Sequence, residues 1–135
     1  MPATRKLIMA AMLVAGLGCR DASAPAVDQP GDVIVSLTTA HAHDGALFLT
    51  LRGPRVTADL VDHSAYTTFA QLAGADALRI IIVGDSVGVG PLFTVRVGAA
   101  NRLSAYSVTI EQVATRDDSL RADVSGYAAS VSIAR

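Results

Sequence analysis

The segment with the clearest potential for chemistry is Gly84-Asp85-Ser86, which directly follows the apolar run at 80–83. A serine presented at the end of a strand could act as a nucleophile if a histidine accepts its proton. No histidine follows His63, however, and the residues after Gly90 have the pattern of strands. We therefore interpret the segment as a strand that ends in a glycine-rich turn, with Asp85 and Ser86 as turn residues.

The three histidines are the second candidate group. His41 and His43 lie on one side of an extended segment, and His63 is further along the chain. Zinc accepts imidazole and carboxylate ligands, so a metal site at His41, His43 and His63 is one hypothesis. Because the sequence contains no second pair with metal-ligand spacing, we predict no metal. We likewise predict no cofactor and no catalytic residues.

The single cysteine, Cys19, is the third candidate, and its position suggests export chemistry. Arg5 and Lys6 precede the uncharged apolar run at 7–17, which is typical of a secretory signal peptide. A membrane-spanning helix needs about 20 apolar residues, and this run is shorter. A lone cysteine in an exported chain cannot form an internal disulfide, so lipid attachment explains it better.

The segment 15–19 resembles the bacterial lipoprotein signal, in which a small residue precedes an invariant cysteine that is lipidated and becomes the new N-terminus. The resemblance implies a signal peptide at 1–18, lipidation of Cys19, and a protein that is exported and held on the membrane of the bacterial cell envelope by its lipid anchor. The alternative is cleavage after Ala22-Ser23-Ala24, which would give a periplasmic or secreted protein. Residues 19–31 contain prolines and no apolar periodicity, so we predict a tether there.

Charge excludes one class of partner. Beyond Cys19 the chain carries nine arginines and twelve acidic residues, a formal charge of −3. Nucleic-acid binding needs a concentrated basic face, whereas these arginines are scattered along the chain. We therefore predict no nucleic-acid partner.

From position 32 onward, short segments alternate apolar and polar residues and are separated by Gly, Pro, Asn and Asp. The run at 78–83 is nearly all apolar, which is typical of a central strand covered on both faces. The segment 64–72 is compatible with a strand or a single helical turn. The other predicted strands lie at 33–37, 47–51, 56–61, 93–97, 108–111, 120–124 and 129–133. The pattern predicts an all-β domain over 32–135, an antiparallel β-sandwich of jelly-roll or Ig-like type with about seven to nine short strands.

Aromatic side chains are few. The chain has no tryptophan, and its six aromatic side chains are three phenylalanines and three tyrosines. An aromatic platform for sugars would need several of these rings exposed together, and we expect most of them in the core.

The order of the strand segments carries a resemblance. The segments 31–35, 45–51, 78–84, 90–97 and 107–113, with the closing Val131-Ser132-Ile133, look like a compact cohesin-like domain. That family is a nine-stranded jelly-roll sandwich related to carbohydrate-binding modules. The resemblance implies a binding domain, but Leu51-Arg52-Gly53-Pro54 departs from the family pattern and no binding residues are carried over.

These observations predict a non-catalytic cell-envelope lipoprotein whose β-sandwich binds or positions a protein or glycan partner. The alternative hypothesis is a small hydrolase or metal-dependent enzyme that uses Gly84-Asp85-Ser86 or the three histidines. The Gly-Asp-Ser segment is similar to the first block of the GDSL esterase family, which implies a nucleophile at Ser86. That family places its histidine near the C-terminus, where this chain has none.

Overall fold

The computed structural model describes residues 26–63 and 65–135, which form two packed antiparallel sheets. A 3₁₀ turn at Leu103–Ala105 precedes the seventh strand. The strands are β1 (Gly31–Thr39), β2 (Asp44–Arg52), β3 (Val56–Asp62), β4 (Thr67–Leu72), β5 (Ala77–Val87), β6 (Gly90–Val97), β7 (Ser107–Thr115) and β8 (Tyr127–Ile133). The predicted all-β antiparallel sandwich is confirmed.

Each sheet has four strands. The first sheet has the order β3-β6-β1-β8 and the second has the order β4-β5-β2-β7. The chain changes sheet at every connection except the β4–β5 hairpin. As a result, β1 and β2, which follow each other in sequence, lie in the interior of opposite sheets.

The core forms because alternate side chains of each strand point to the same face. Alternation puts one face of every central strand between the sheets, where the side chains exclude water from one another. Full burial of a valine, leucine or isoleucine side chain stabilises the fold by about 1.5–3 kcal/mol. The fully buried aliphatic and aromatic residues of the central strands are Val33, Val35, Leu37, Leu47, Leu49, Leu51, Leu78, Ile80, Ile82, Val87, Leu92, Phe93, Val95 and Val97.

Strand pairing decides two of the predicted segments. The segment 64–72, compatible from its sequence with a strand or a helical turn, contains β4, which pairs with β5 from Thr67 to Leu72. The predicted strand at 120–124 is wrong, since only Leu120 forms a bridge, to Ala114. Asp118 has a φ of 64°, so the chain turns back on the end of β7 there and leaves the sheet after residue 121.

Residues 27–30, within the predicted tether, contact the sandwich, and we call them the entry segment. The amide of Ala100 donates to the carbonyl of Gln29 (2.8 Å), and the Asp28 carboxylate pairs with Arg55 (3.2 Å) and Arg102 (2.6 Å). The entry segment therefore lies where β1 begins. The opposite end of β1, at Thr39, pairs with Tyr127.

The predicted signal peptide and Cys19 lie outside the described residues. Within 26–63 and 65–135, no helix is long and apolar enough to cross a membrane.

Candidate functional site

The outer face of the second sheet presents a row of large apolar side chains to solvent. Along β5 the outward positions include Ile81, which pairs with Phe48 of β2 on one side and with Phe69 of β4 on the other. Gln112 of β7 extends the row beyond Phe48. The strand register therefore places Phe69, Ile81 and Phe48 side by side across three strands.

The rows on either side complete the surface. In one, Val83 pairs with Ala46, which pairs in turn with Ala114. In the other, Arg79 pairs with Thr50. The exposed polar residues Thr67, Gln71, Thr109, Glu111 and Gln112 lie around these rows. We call the surface formed by Ala46, Phe48, Phe69, Ile81, Val83, Ala114 and Leu120 the apolar face.

The exposure of these side chains is large. Phe69 is 60% exposed, Ile81 46%, Val83 42% and Leu120 66%. Single exposed apolar residues are normal on a protein surface, whereas adjacent ones that form a contiguous patch make that surface a candidate for interaction. The prediction that 78–83 is covered on both faces is therefore wrong: β5 is central in its sheet, yet its outward face has no covering layer in the described residues.

The outer face of the first sheet is more polar. Its apolar side chains include Val61, which is 64% exposed, and the half-buried Ile34, and Thr94 lies between these two in register. Ser132 follows Ile34 on the other side, and Arg96 pairs with Asp32 at 3.3 Å. Large apolar side chains that are direct neighbours across three strands are therefore found on the second sheet.

The apolar face is uneven. On β4 and β5 the side chains of Phe69, Ile81 and Val83 are exposed, whereas Ala46, Phe48 and Ala114 on β2 and β7 are half-buried. A shallow cavity of about 210 Å³ lies over the β2–β7 half, between Ile81 and Leu120. A second shallow cavity, of about 310 Å³, lies over the β4–β5 half, with Phe69 and Arg79 among its lining residues. Both halves of the face therefore carry a depression, and we call the one over β2 and β7 the recess.

Charged side chains lie at the edge of the same face. Arg79 is exposed on β5 and pairs in register with the buried Thr50, whose hydroxyl donates to Glu111 Oε1 at 3.0 Å. A positive group thus lies on the β4–β5 half of the face, and a negative group is held in place on the β2–β7 half.

A buried carboxylate, Asp44, fixes the loop beside the recess. Asp44 is 1% exposed; its Oδ1 accepts from Arg121 Nε (2.7 Å) and its Oδ2 from the Tyr127 hydroxyl (2.5 Å). His41 stacks on the Tyr127 ring, with centroids 5.2 Å apart. Because Arg121 directly follows Leu120, this Asp44 cluster holds Leu120 at the border of the recess. His41 was considered from the sequence as a metal ligand, whereas Asp44, Arg121 and Tyr127 were not singled out as a site, because nothing in their spacing indicates that they meet.

Burial and the adjacent Asp44 carboxylate change the acidity of this cluster. Burial, followed by the hydrogen bond to Asp44, raises the pKa of Tyr127 from its usual 10 to about 12. Both effects disfavour a second negative charge beside Asp44. The Tyr127 hydroxyl therefore remains a donor throughout the physiological pH range.

The structure separates the histidine candidates. His41 stacks on Tyr127, while His63 Nε2 and Thr94 Oγ1 share a hydrogen bond of 2.7 Å on the first sheet. His43 is exposed on the β1–β2 loop. Over 26–63 and 65–135, no group of three or more His, Cys, Asp or Glu side chains is arranged to hold a metal ion.

Gly84-Asp85-Ser86 lies within β5, which continues to Val87, so the prediction that Asp85 and Ser86 form the turn is wrong. The Ser86 hydroxyl donates to the carbonyl of Ala42 at 2.8 Å. A Cβ at Gly84 would lie 2.8 Å from Cδ1 of Tyr66, whose ring packs over this position. Close packing accounts for the glycine, and a hydrogen bond between strand and loop accounts for the serine.

Replacing Ser86 with alanine is expected to lower the free energy of unfolding by about 1 kcal/mol or less, because one exposed hydrogen bond is lost. Urea unfolding followed by circular dichroism measures the change, with Ser130→Ala on the first sheet as the matched control. The unaltered protein should also fail to react with a fluorophosphonate probe. Specific labelling that disappears in Ser86→Ala would instead establish a nucleophile.

Comparison with known proteins identifies no relative from which a role could be transferred: no family model matches the chain, and neither curated proteins nor solved structures give a significant match.

Proposed function

We propose that this chain is a non-catalytic cell-envelope lipoprotein whose β-sandwich binds a partner protein through the apolar face of its second sheet. The observation that carries the proposal is the row of the exposed Phe69 and Ile81 and the half-buried Phe48, which are direct neighbours across three strands on one side of the sandwich. Leaving such a row in water opposes folding and solubility without serving the core. Contact with another surface accounts for it.

The chemistry of the face favours a protein over a glycan. Between its two phenylalanines lies an aliphatic side chain, Ile81, and the neighbouring row consists of Val83 and Ala46. An apolar centre with a border of threonine, glutamine and charged residues is the composition of a protein–protein interface. Aliphatic side chains offer sugars little of the stacking that aromatic rings provide.

The anchoring part of the proposal is supported by the sequence. A basic start, an apolar run and Cys19 follow one another as in a lipoprotein signal. The entry segment brings the chain to one end of the sandwich, at the beginning of β1. An anchor joined at that end leaves the broad side of the second sheet free for a partner.

The binding proposal is tested by introducing a charge into the row. Ile81→Asp in the full chain is expected to reduce recovery of a partner protein from envelope extract by about tenfold or more, because an unpaired carboxylate in an apolar contact is costly. The matched control is Val61→Asp, which puts the same charge on an exposed apolar residue of the first sheet. The proposal fails if the two variants and the unaltered chain recover the same proteins in the same amounts.

Lipid attachment is tested separately by Cys19→Ser. Each acyl methylene contributes about 0.8 kcal/mol to membrane affinity, so a multiply acylated Cys19 is expected to hold the unaltered protein in the membrane fraction, whereas the variant escapes lipoprotein processing. Fractionation of cells followed by immunoblotting measures both forms. Identical fractionation, together with an identical mass at the mature N-terminus, would contradict lipidation.

A further inference from the structure

We infer that the partner of the apolar face is a second copy of this chain, packed face to face about a two-fold axis that runs along the strands between β5 and β2. The inference rests on the proposed function, because it names the occupant of the same face. It is carried by the way the two halves of the face complement each other in charge and in the exposure of their apolar side chains.

The axis determines which strands meet. Rotation by half a turn about a line between β5 and β2 places β5 of each copy over β2 of the other. Ile81 then lies over Phe48 of the second copy, and the same contact recurs by symmetry. In the next row Val83 lies over Ala46 of the second copy.

The exposure of the side chains matches under this operation. The exposed Phe69, Ile81 and Val83 on β4 and β5 come to lie on β2 and β7, where the apolar side chains of the face are half-buried. The recess of about 210 Å³ has Ala46 and Ala114 among its lining residues, which leaves room for larger side chains from the second copy. Two packed sheets are normally separated by about 10 Å and filled by interdigitating side chains of this kind.

Charge matches as well. Arg79 lies over Thr50 of the second copy, and Thr50 is the residue to which Glu111 is hydrogen-bonded. Two arginine–glutamate pairs therefore form, one at each symmetry-related position. Packed sheets cross at about 30°, which shifts this row by roughly 3–4 Å, a distance that a flexible arginine side chain accommodates.

The inference is tested by charge exchange between two differently tagged copies of the full chain, co-expressed in an exporting bacterial host and cross-linked in intact cells before extraction. Two unaltered copies are expected to co-purify. Two Arg79→Glu copies, or two Glu111→Arg copies, face each other with like charges, and recovery of the second tag is expected to fall about tenfold or more. A mixture of one Arg79→Glu copy with one Glu111→Arg copy restores both attractive pairs and is expected to recover co-purification.

The mixed pair distinguishes a second copy from any other occupant, because only a second copy carries the compensating charge. Circular dichroism melting of each variant shows whether it is folded. Copies with Ile81→Asp are expected to lose co-purification, and no charge on the second copy compensates for that substitution. Failure of unaltered copies to co-purify, or failure of the mixed pair to recover, overturns the inference. If a different envelope protein is captured by the unaltered chain and lost with Ile81→Asp while the copies do not associate, the proposed function stands and the second copy is excluded.

Discussion

Replacing Asp44 with alanine is expected to lower the free energy of unfolding by about 3–5 kcal/mol, the largest effect of any single substitution proposed for this protein. The carboxylate is almost completely buried and accepts hydrogen bonds from Arg121 and Tyr127. Its removal leaves the guanidinium and the phenol without an acceptor. It also releases the loop that carries Leu120 from its attachment at the first residue of β2.

Urea unfolding monitored by circular dichroism measures this loss. The matched control is Asp85→Ala, which removes an exposed carboxylate from the adjacent strand and should change stability by only about 0.5 kcal/mol. Asp44→Asn retains an oxygen acceptor without the charge and should lie between the two. Equal stabilities for Asp44→Ala and Asp85→Ala would mean that the Asp44 cluster contributes nothing to the fold.

Alkaline solution is expected to destabilise the protein through Tyr127. The pKa of this phenol is raised from 10 to about 12 in the folded protein, so the folded state holds the proton more tightly than the unfolded state. The resulting stability is fully present below about pH 10 and is lost as the pH rises toward about 12. The shift corresponds to a loss on the order of 2–3 kcal/mol.

Stability measured by urea unfolding at a series of pH values should stay nearly constant from about pH 8 to about pH 10 in the unaltered protein and fall between about pH 10 and 12. Tyr127→Phe should be less stable at neutral pH, because Asp44 loses a donor, but should show a shallower alkaline decline. Part of the decline remains because burial also raises the pKa of Tyr106. Tyr66→Phe serves as the comparison, and an alkaline slope identical in Tyr127→Phe and the unaltered chain would contradict the assignment.

The architecture was predictable because alternation is a local signal. Val33, Val35 and Leu37 repeat with a period of two, and all three are buried as that period requires. The same argument fails for 120–124, where the residues alternate but the chain leaves the sheet. Pairing, which decides whether an alternating segment becomes a strand, depends on distant residues.

The apolar face was not predictable, since two structures produce the same run of residues at 78–83. A strand covered by two layers and a strand with an uncovered binding face both place apolar side chains at every position. The register that brings Phe48, Ile81 and Phe69 together is a property of three strands. The expectation that the rings lie in the core holds for Phe93, Tyr106 and Tyr127, whereas Phe69 is exposed.

The Asp44 cluster illustrates the same limit more strongly. Asp44 is separated from Arg121 by 77 positions and from Tyr127 by 83. No short sequence motif indicates a contact between residues this far apart. The Gly-Asp-Ser sequence, by contrast, is a recognisable motif, yet in the structure its residues have a packing and hydrogen-bonding role. A buried aspartate at the start of an otherwise apolar strand is the one signal that could have indicated a paired carboxylate.

Attachment of the entry segment to one end of the sandwich limits the reach of an anchored domain. The eight peptide steps from Cys19 to Val27 span at most about 28 Å, so the lipid proposed at Cys19 would keep the domain close to its membrane. In a pair whose axis follows the strands, both entry segments leave from the same end, and both copies can share one leaflet. Confinement to that leaflet raises the effective concentration of each copy for the other, as a short linker does. The protein is therefore expected to pair on the membrane at expression levels at which the released domain is a monomer.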